Sequence, residues 1–296
     1  MKVFRNAVWF IVLFLVIDVA RYFFLPDVSW VVRNNPGKSA FMEYREADWR
    51  SQGFDKTIRQ RWVPLNKVSP TLIKAVLIAE DGNFWKHEGF DFEAIESAIE
   101  KNVKAGEFRF GASTISQQLA KNLYLSPSKN PMRKLKEAIL TWRIERTLSK
   151  RRILEIYVNI AEWGDGIFGI EEAARHYYGV SAAQLTATQS SRLAAVLPNP
   201  IRYQPTGSSR FVRSRAGRIY AVMLRRGIVV PDYSEVMAAS ETPSSQSPDS
   251  VVVGVPENLI MDAAKPDSSR SVKSTNNPAE TVSPPPPDRS GHQSGN

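Results

Sequence analysis

The chain has 296 residues, 43% of them hydrophobic, which is enough to bury a substantial core. It contains no cysteine, which excludes disulfides and thiolate catalysis. Its formal net charge is +9, and residues 234–296 carry more acid than base, so residues 1–233 alone hold +13. A folded part that basic calls for an anionic partner, either nucleic acid or lipid head groups and phosphorylated lipids.

The N-terminus helps to choose between them. Residues 7–25, AVWFIVLFLVIDVARYFFL, form a nearly continuous apolar run. As a helix it would span about 28 Å, close to the hydrocarbon thickness of a bilayer. Asp18 and Arg21 interrupt it three positions apart, where they can pair. A cleaved signal peptide is the competing reading. No small-x-small cleavage site follows, however, and RYFFLPDVSWVV is bulky throughout. An uncleaved signal-anchor over 1–26 is therefore expected, with Lys2 and Arg5 inside and the rest outside the cytoplasm. That placement argues for anionic lipid and against nucleic acid.

Residues 27–68 show no sustained period, so 27–61 reads as an irregular linker ahead of a catalytic domain over 62–233. SPTLIKAVLIAE opens with Ser69 as N-cap and Pro70 at the first helical position. DFEAIESAIEKNVKAG runs from an N-cap Asp91 to a terminating Gly106. STISQQLAKNLYL repeats Ile115, Leu119 and Leu123 at spacing four, a buried stripe. NPMRKLKEAILTWRIERTLS opens at Asn130 and Pro131. SKRRILEIYVNIAEWG closes at Gly164, SAAQ at 181–184 has capping-box spacing before a further helix, and a last helix spans about 209–226. No comparable run of period-two residues appears, so the fold is expected to be mainly α. Residues 234–296 lack Phe, Trp and Tyr and are rich in Ser and Pro, the composition of a disordered tail. Within it, VVVGVPENLIM could serve as a docking peptide.

Opposite the stripe at 115, 119 and 123, residues Thr114, Gln117, Gln118, Lys121 and Asn122 place a hydroxyl, amides and an ammonium on one helix. A solvated face is the plain explanation, but such faces draw more on Glu, Lys and Arg. This mixture suits a sugar or a phosphate. Arg133 and Glu137 stand four apart, which alone is ordinary surface pairing. Around them lie Lys134, Lys136, Arg143, Arg146, Lys150, Arg151 and Arg152, a density suited to a departing pyrophosphate. EDGNFWKHEGFD, residues 80–91, supplies the candidate proton acceptor. Glu80 ends an apolar helix beside Phe84 and Trp85, where partial desolvation would raise its proton affinity. His87 is an alternative base or a zinc ligand, but histidines at 87, 176 and 292 lack ligand spacing.

Together EDGNFWKHEGFD, GASTISQQLAKNL, RKLKEA, RRILEIYVNIAEWGDGIFGI and RLAAVLPNP resemble the five ordered motifs of the family 51 glycosyltransferases, the peptidoglycan glycosyltransferases. The resemblance covers about residues 62–227. With one anchor and no room for a transpeptidase domain, the chain is similar to the monofunctional biosynthetic branch. Ser116 stands where Thr is common, and Gln189, Ser190 and Ser191 are more polar than usual.

The resemblance implies a lysozyme-like helical domain with a smaller membrane-associated lobe and a cleft between them. It implies Glu80 as general base toward the 4-hydroxyl of lipid II and Glu137 as a second, assisting carboxylate. Lys121, Arg133 and Lys134 would bind pyrophosphate, with Ser113, Thr114, Gln117, Gln118 and Asn122 along the cleft. Asp81, Phe84 and His87 would shape its wall. The implied partners are lipid II, undecaprenyl-pyrophosphate glycan and the bacterial inner membrane, with the catalytic domain in the periplasm. Other cell-wall synthesis or division proteins are candidate partners, and nucleic acid is not. No cofactor is required on this reading, a divalent cation being left open. A lytic transglycosylase or hydrolase is the rival reading, although it needs no pyrophosphate clamp. A non-catalytic scaffold is another.

Overall fold

The computed structural model describes residues 2–107, 111–127 and 132–228. The expected helix start at Asn130 and Pro131, the tail and the docking peptide within it lie outside the described residues.

The described chain is mostly helical. Helix α1 (Lys2–Ala20) continues through a single 3-10 turn at Arg21–Phe23, and Phe4–Phe23 is long and apolar enough to cross a membrane. Asp18 pairs with Arg21 at 3.1 Å, as the three-residue spacing predicts.

The segment expected to be irregular holds a short helix α2 (Trp30–Arg33) and a three-turn helix α3 (Ala40–Ser51). The latter carries no clear apolar stripe because one of the three buried positions on its inner face is Arg45, beside Met42 and Trp49. Ser39 caps it, and Met42 and Trp49 are buried. Its one buried cation, Arg45, bonds Glu162 at 3.3 Å and Asp165 at 2.6 Å, so α3 is fastened to the domain and is no linker.

The remaining helices follow in order: α4 (Pro70–Glu80), α5 (Phe92–Ala105), α6 (Ile115–Tyr124), α7 (Met132–Thr147), α8 (Lys150–Ile160), α9 (Ile170–Tyr178), α10 (Ala187–Val196) and α11 (Arg210–Arg225). Asp91 accepts from the Ala94 amide and Gly106 ends α5 in the left-handed conformation. Ser69 does not cap α4 with its side chain. It donates to Leu185 O at 2.9 Å, tying α4 to the segment before α10. SAAQ starts only a 3-10 turn, and the box that caps α10 is Thr186 with Gln189.

A small sheet was not anticipated. Strands β1 (Arg59–Gln60), β2 (Glu162–Gly164) and β3 (Ile167–Phe168) lie in the order β1-β3-β2, with β1 parallel to β3 and β2 antiparallel to it. Helix α8 therefore ends at Ile160, short of the expected Gly164. Strands this short leave no period-two signature. Asn159 secures the approach to β1 and β3: its side chain accepts from Val63 N–H and donates to Val63 O, both at 2.8 Å. Gly169 needs its positive φ of 80° there, and a Cβ would come within 2.8 Å of Asn159 O.

One core runs through the domain. Helix α6 packs against α7, α8 and α3, and α4 packs against α10 and α11. Trp163, Tyr157, Phe84 and Phe168 are its largest fully buried side chains. Each contributes roughly 1.5–3 kcal/mol by leaving water.

Candidate active site

Glu80 closes α4, and the next residues leave the helix at once because Asp81 is extended at φ −162°. The turn 81–91 is held from three directions. Asp81 is buried and accepts from the Ile115 amide at the start of α6 at 2.9 Å. It also accepts from His87 Nε2 at 3.0 Å. His87 Nδ1 accepts from Gly89 N–H, which fixes the proton on Nε2. Gly89 has φ 93° and lies so close to α7 that a Cβ would meet Thr141 Cγ2 at 2.9 Å and Glu145 Cγ at 3.0 Å. Phe84 is fully buried beneath the turn, with Lys150 Nζ 4.6 Å from its ring centre. Asp81, Phe84 and His87 therefore shape the turn from within.

The side chain of Glu80 points into a polar network. One oxygen accepts from Gln118 Nε2 at 2.9 Å and the other from Arg215 Nη2 at 3.0 Å. Arg215 also donates to Ala79 O at 3.0 Å, and its Nε is buried without a hydrogen-bond partner among the described residues. Gln118 in turn accepts from Tyr157 O–H at 3.1 Å. Burial pushes the Glu80 proton affinity above the ordinary carboxylate range, outweighing the opposing pull of Arg215 and Gln118. Arg215 comes from α11, 135 residues away, and carried no sequence signal beyond being one arginine among many.

Helix α6 divides its polar residues between two tasks. Thr114 and Gln117 form a buried capping box, and Thr114 donates to Gly89 O at 2.7 Å. Their side chains start the helix and do not face outward. Gln118, Lys121 and Asn122 are half-buried on the other side, and Ser113 is exposed just before the helix. Ser116 is fully buried and donates to Glu145, which also pairs with Lys150 at 2.7 Å.

The second carboxylate is no surface decoration. Glu137 is buried on α7, where Arg133 donates to it at 3.3 Å and Lys134 donates to its other oxygen. Lys121 is half-buried and feels the charge of both carboxylates. Its pKa is lowered first by burial, and Glu137, Arg133, Lys134 and Glu80 all act on its charge. Glu80, Glu137, Lys121, Arg133 and Lys134 thus share one electrostatic field. Most of the other basic residues do not join it. Lys136 pairs with Asp18, Arg143 donates to the carbonyls of Tyr22 and Phe24, and Arg152 holds Glu155 and the 31–35 segment.

Among the described residues there is no group of three or more His, Asp or Glu able to hold a metal ion. A buried carboxylate of raised proton affinity, opposite three cations around a second carboxylate, is equipped to accept a proton and to stabilise a departing anion. These are the parts of a group-transfer enzyme.

The model of the Transglycosylase family matches residues 49–224, so the chain belongs to the transglycosylase family and is a glycosyl-transferring enzyme. Curated relatives named biosynthetic peptidoglycan transglycosylase are similar over most of their length. The protein of Nitrosospira multiformis is 44% identical over 227 residues, covering 76% of this chain and 99% of the relative. That of Dechloromonas aromatica is 49% identical over 198 residues, covering 67% and 83%. That of Laribacter hongkongensis is 51% identical over 173 residues, covering 58% and 75%.

Proposed function

We propose that the chain polymerises peptidoglycan glycan strands at the outer face of the bacterial inner membrane, anchored by α1. Glu80 removes the proton from the 4-hydroxyl of lipid II. The freed oxygen attacks C1 of the growing strand, breaking the bond to undecaprenyl pyrophosphate with inversion. Lys121, Arg133 and Lys134 balance the charge on that leaving group, and Glu137 orients the two cations it binds. Gln118 and Asn122 offer hydrogen bonds to the sugars.

The observation that carries this reading is the arrangement around Glu80. A base of raised proton affinity is held by Gln118 and Arg215 while a separate cation cluster lies across Lys121. A hydrolase protonating a glycosidic oxygen has no use for that cluster. The three cations also fill the role that a divalent ion plays toward pyrophosphate, so no metal is required.

Two features support a membrane-bound substrate. The α1 span is apolar, and α5 buries none of its residues while exposing Phe92, Ile99 and Val103 along one face. Such a face suits the bilayer surface. Purified chain with lipid II should yield polymer, with or without chelator. Cleavage of preformed glycan without polymer would reverse the assignment, and loss of activity in chelator would restore a metal.

A further inference from the structure

A second site lies at the C-terminal end of α1. A cavity of about 660 Å³ opens there, and none of the proposed catalytic groups lines it. Its walls are fixed to the catalytic helices. Arg143 of α7 donates to Tyr22 O and Phe24 O, both at 2.9 Å, and Phe23 meets Trp142 edge-on at 6.4 Å. On the other side Arg152 of α8 donates to Val31 O at 2.9 Å and Asn34 O at 2.8 Å. Lys136 reaches across to Asp18 at 2.5 Å. A cavity bounded this way is a built feature of the domain.

Its lining is mixed in a specific manner. Arg21 and Lys38 supply two positive charges, and Asp27 and Glu43 supply two negative ones. Arg21 already pairs with Asp18 at the end of the apolar span and Lys38 with Glu46 beside the cavity, and each cation keeps further N–H donors that a ligand can share. Leu25, Trp30 and Val31 give an apolar wall. Tyr124, the last residue of α6, also lines the cavity, and its hydroxyl is buried without a hydrogen-bond partner among the described residues. Burial pushes its pKa up to about 12, so it stays a neutral donor. Around the mouth Phe23, Phe24, Leu25 and Trp30 are exposed, the arrangement of residues that sit at head-group depth.

We propose that this cavity binds one phospholipid whose head group carries both a phosphate and an ammonium, as phosphoethanolamine lipids do. The phosphate meets Arg21, Lys38 and the Tyr124 hydroxyl. The ammonium meets Asp27 and Glu43, and the acyl chains run down α1. A head group bearing only negative charge would face two carboxylates, and the same holds for a polyprenyl phosphate. The occupant would touch α1, the segment before α3 and the end of α6, the helix that carries Gln118 and Lys121. The inference rests on α1 being a membrane anchor.

The test uses the full chain in detergent, with native mass spectrometry in equal amounts of phosphatidylethanolamine, phosphatidylglycerol and undecaprenyl phosphate. One phosphatidylethanolamine should be retained about fivefold over either competitor, the worth of one ion pair. Glu43→Gln should remove that preference. Gly37 also lines the cavity, and a Cβ there meets nothing within 4 Å, so Gly37→Leu should fold and displace the lipid. Equal retention of the three lipids, or unchanged retention in both variants, overturns the site. Flotation with phosphatidylcholine vesicles checks the anchor separately. A chain that floats without the preference has lost only the lipid site, whereas one that does not float has lost both.

Discussion

Replacing Glu80 by glutamine isolates the proton-transfer step, because it keeps the shape of the side chain and removes its basicity. The carboxylate accepts from two donors, Gln118 at 2.9 Å and Arg215 at 3.0 Å, and an amide offers only one acceptor. If that oxygen keeps Arg215, the new NH2 faces Gln118. Gln118 can turn its amide to present oxygen, and its own NH2 then meets the Tyr157 hydroxyl, which is able to accept as well as donate. That arrangement leaves the Tyr157 O–H without its acceptor and Arg215 without its counter-charge, so stability should fall by about 1–3 kcal/mol, the cost of an orphaned buried donor. What disappears is the base. General-base assistance is worth about 10²–10⁴ in rate, which corresponds to roughly 3–5 kcal/mol of barrier. The expected result for Glu80→Gln is therefore lipid II bound near the parental affinity, a melting temperature lowered by no more than that loss and polymerisation slowed at least a hundredfold. The assay is initial-rate polymerisation of labelled lipid II. A variant that binds normally and turns over within about tenfold of the parent would refute Glu80 as the base.

Four further outcomes follow from the same geometry. Arg215 holds the Glu80 proton affinity down against burial, so Arg215→Gln should move the acid limb of kcat/KM to higher pH, and Arg215→Lys should move it less; an unmoved limb would show that the guanidinium is not felt. Lys121→Met removes a cation from the leaving-group side and should cost about 10²–10³ in kcat, whereas Glu137→Gln, which keeps acceptor capacity, should cost less. Gly89→Ala combines a positive φ with contacts at 2.9 and 3.0 Å, so a loss of about 1–3 kcal/mol is expected by thermal unfolding in detergent. Glu80 and Glu162 both have proton affinities raised by burial. Each favours the folded state fully below the unfolded carboxylate range and loses that contribution as pH rises through its folded value, so Glu162→Gln should flatten this part of the melting profile.

Several parts of the molecule were legible in the residues. The long apolar N-terminal helix, the helices from Asp91 to Gly106 and around Ile115, Leu119 and Leu123, and the final helix each carry a strong local signal of apolar content, period or capping residue. Glu80 was legible as a carboxylate closing an apolar helix. Helix α3 was not, because what holds it is the distant contact of Arg45 with Glu162 and Asp165. The strands were equally hidden, since two or three residues cannot display a period.

The same division runs through the site. Local chemistry and motif order selected Glu80, Lys121, Arg133, Lys134 and Glu137 from the sequence alone. They could not separate the two glutamines of α6, which differ only in direction. Gln117 turns back to cap its own helix, and Gln118 turns toward Glu80. Nor could spacing sort the arginines and lysines, whose charge is identical but whose partners are set by packing: Arg143 and Lys136 hold the C-terminal end of α1 and the turn after it, Lys134 and Arg133 hold Glu137, and Arg215 holds Glu80. The identity of the charged groups is a property of the chain, while the field each one feels depends on residues up to 135 positions away. Burial and through-space charge are what shift the proton affinity of an ordinary glutamate such as Glu80, and both exist only once the helices have packed.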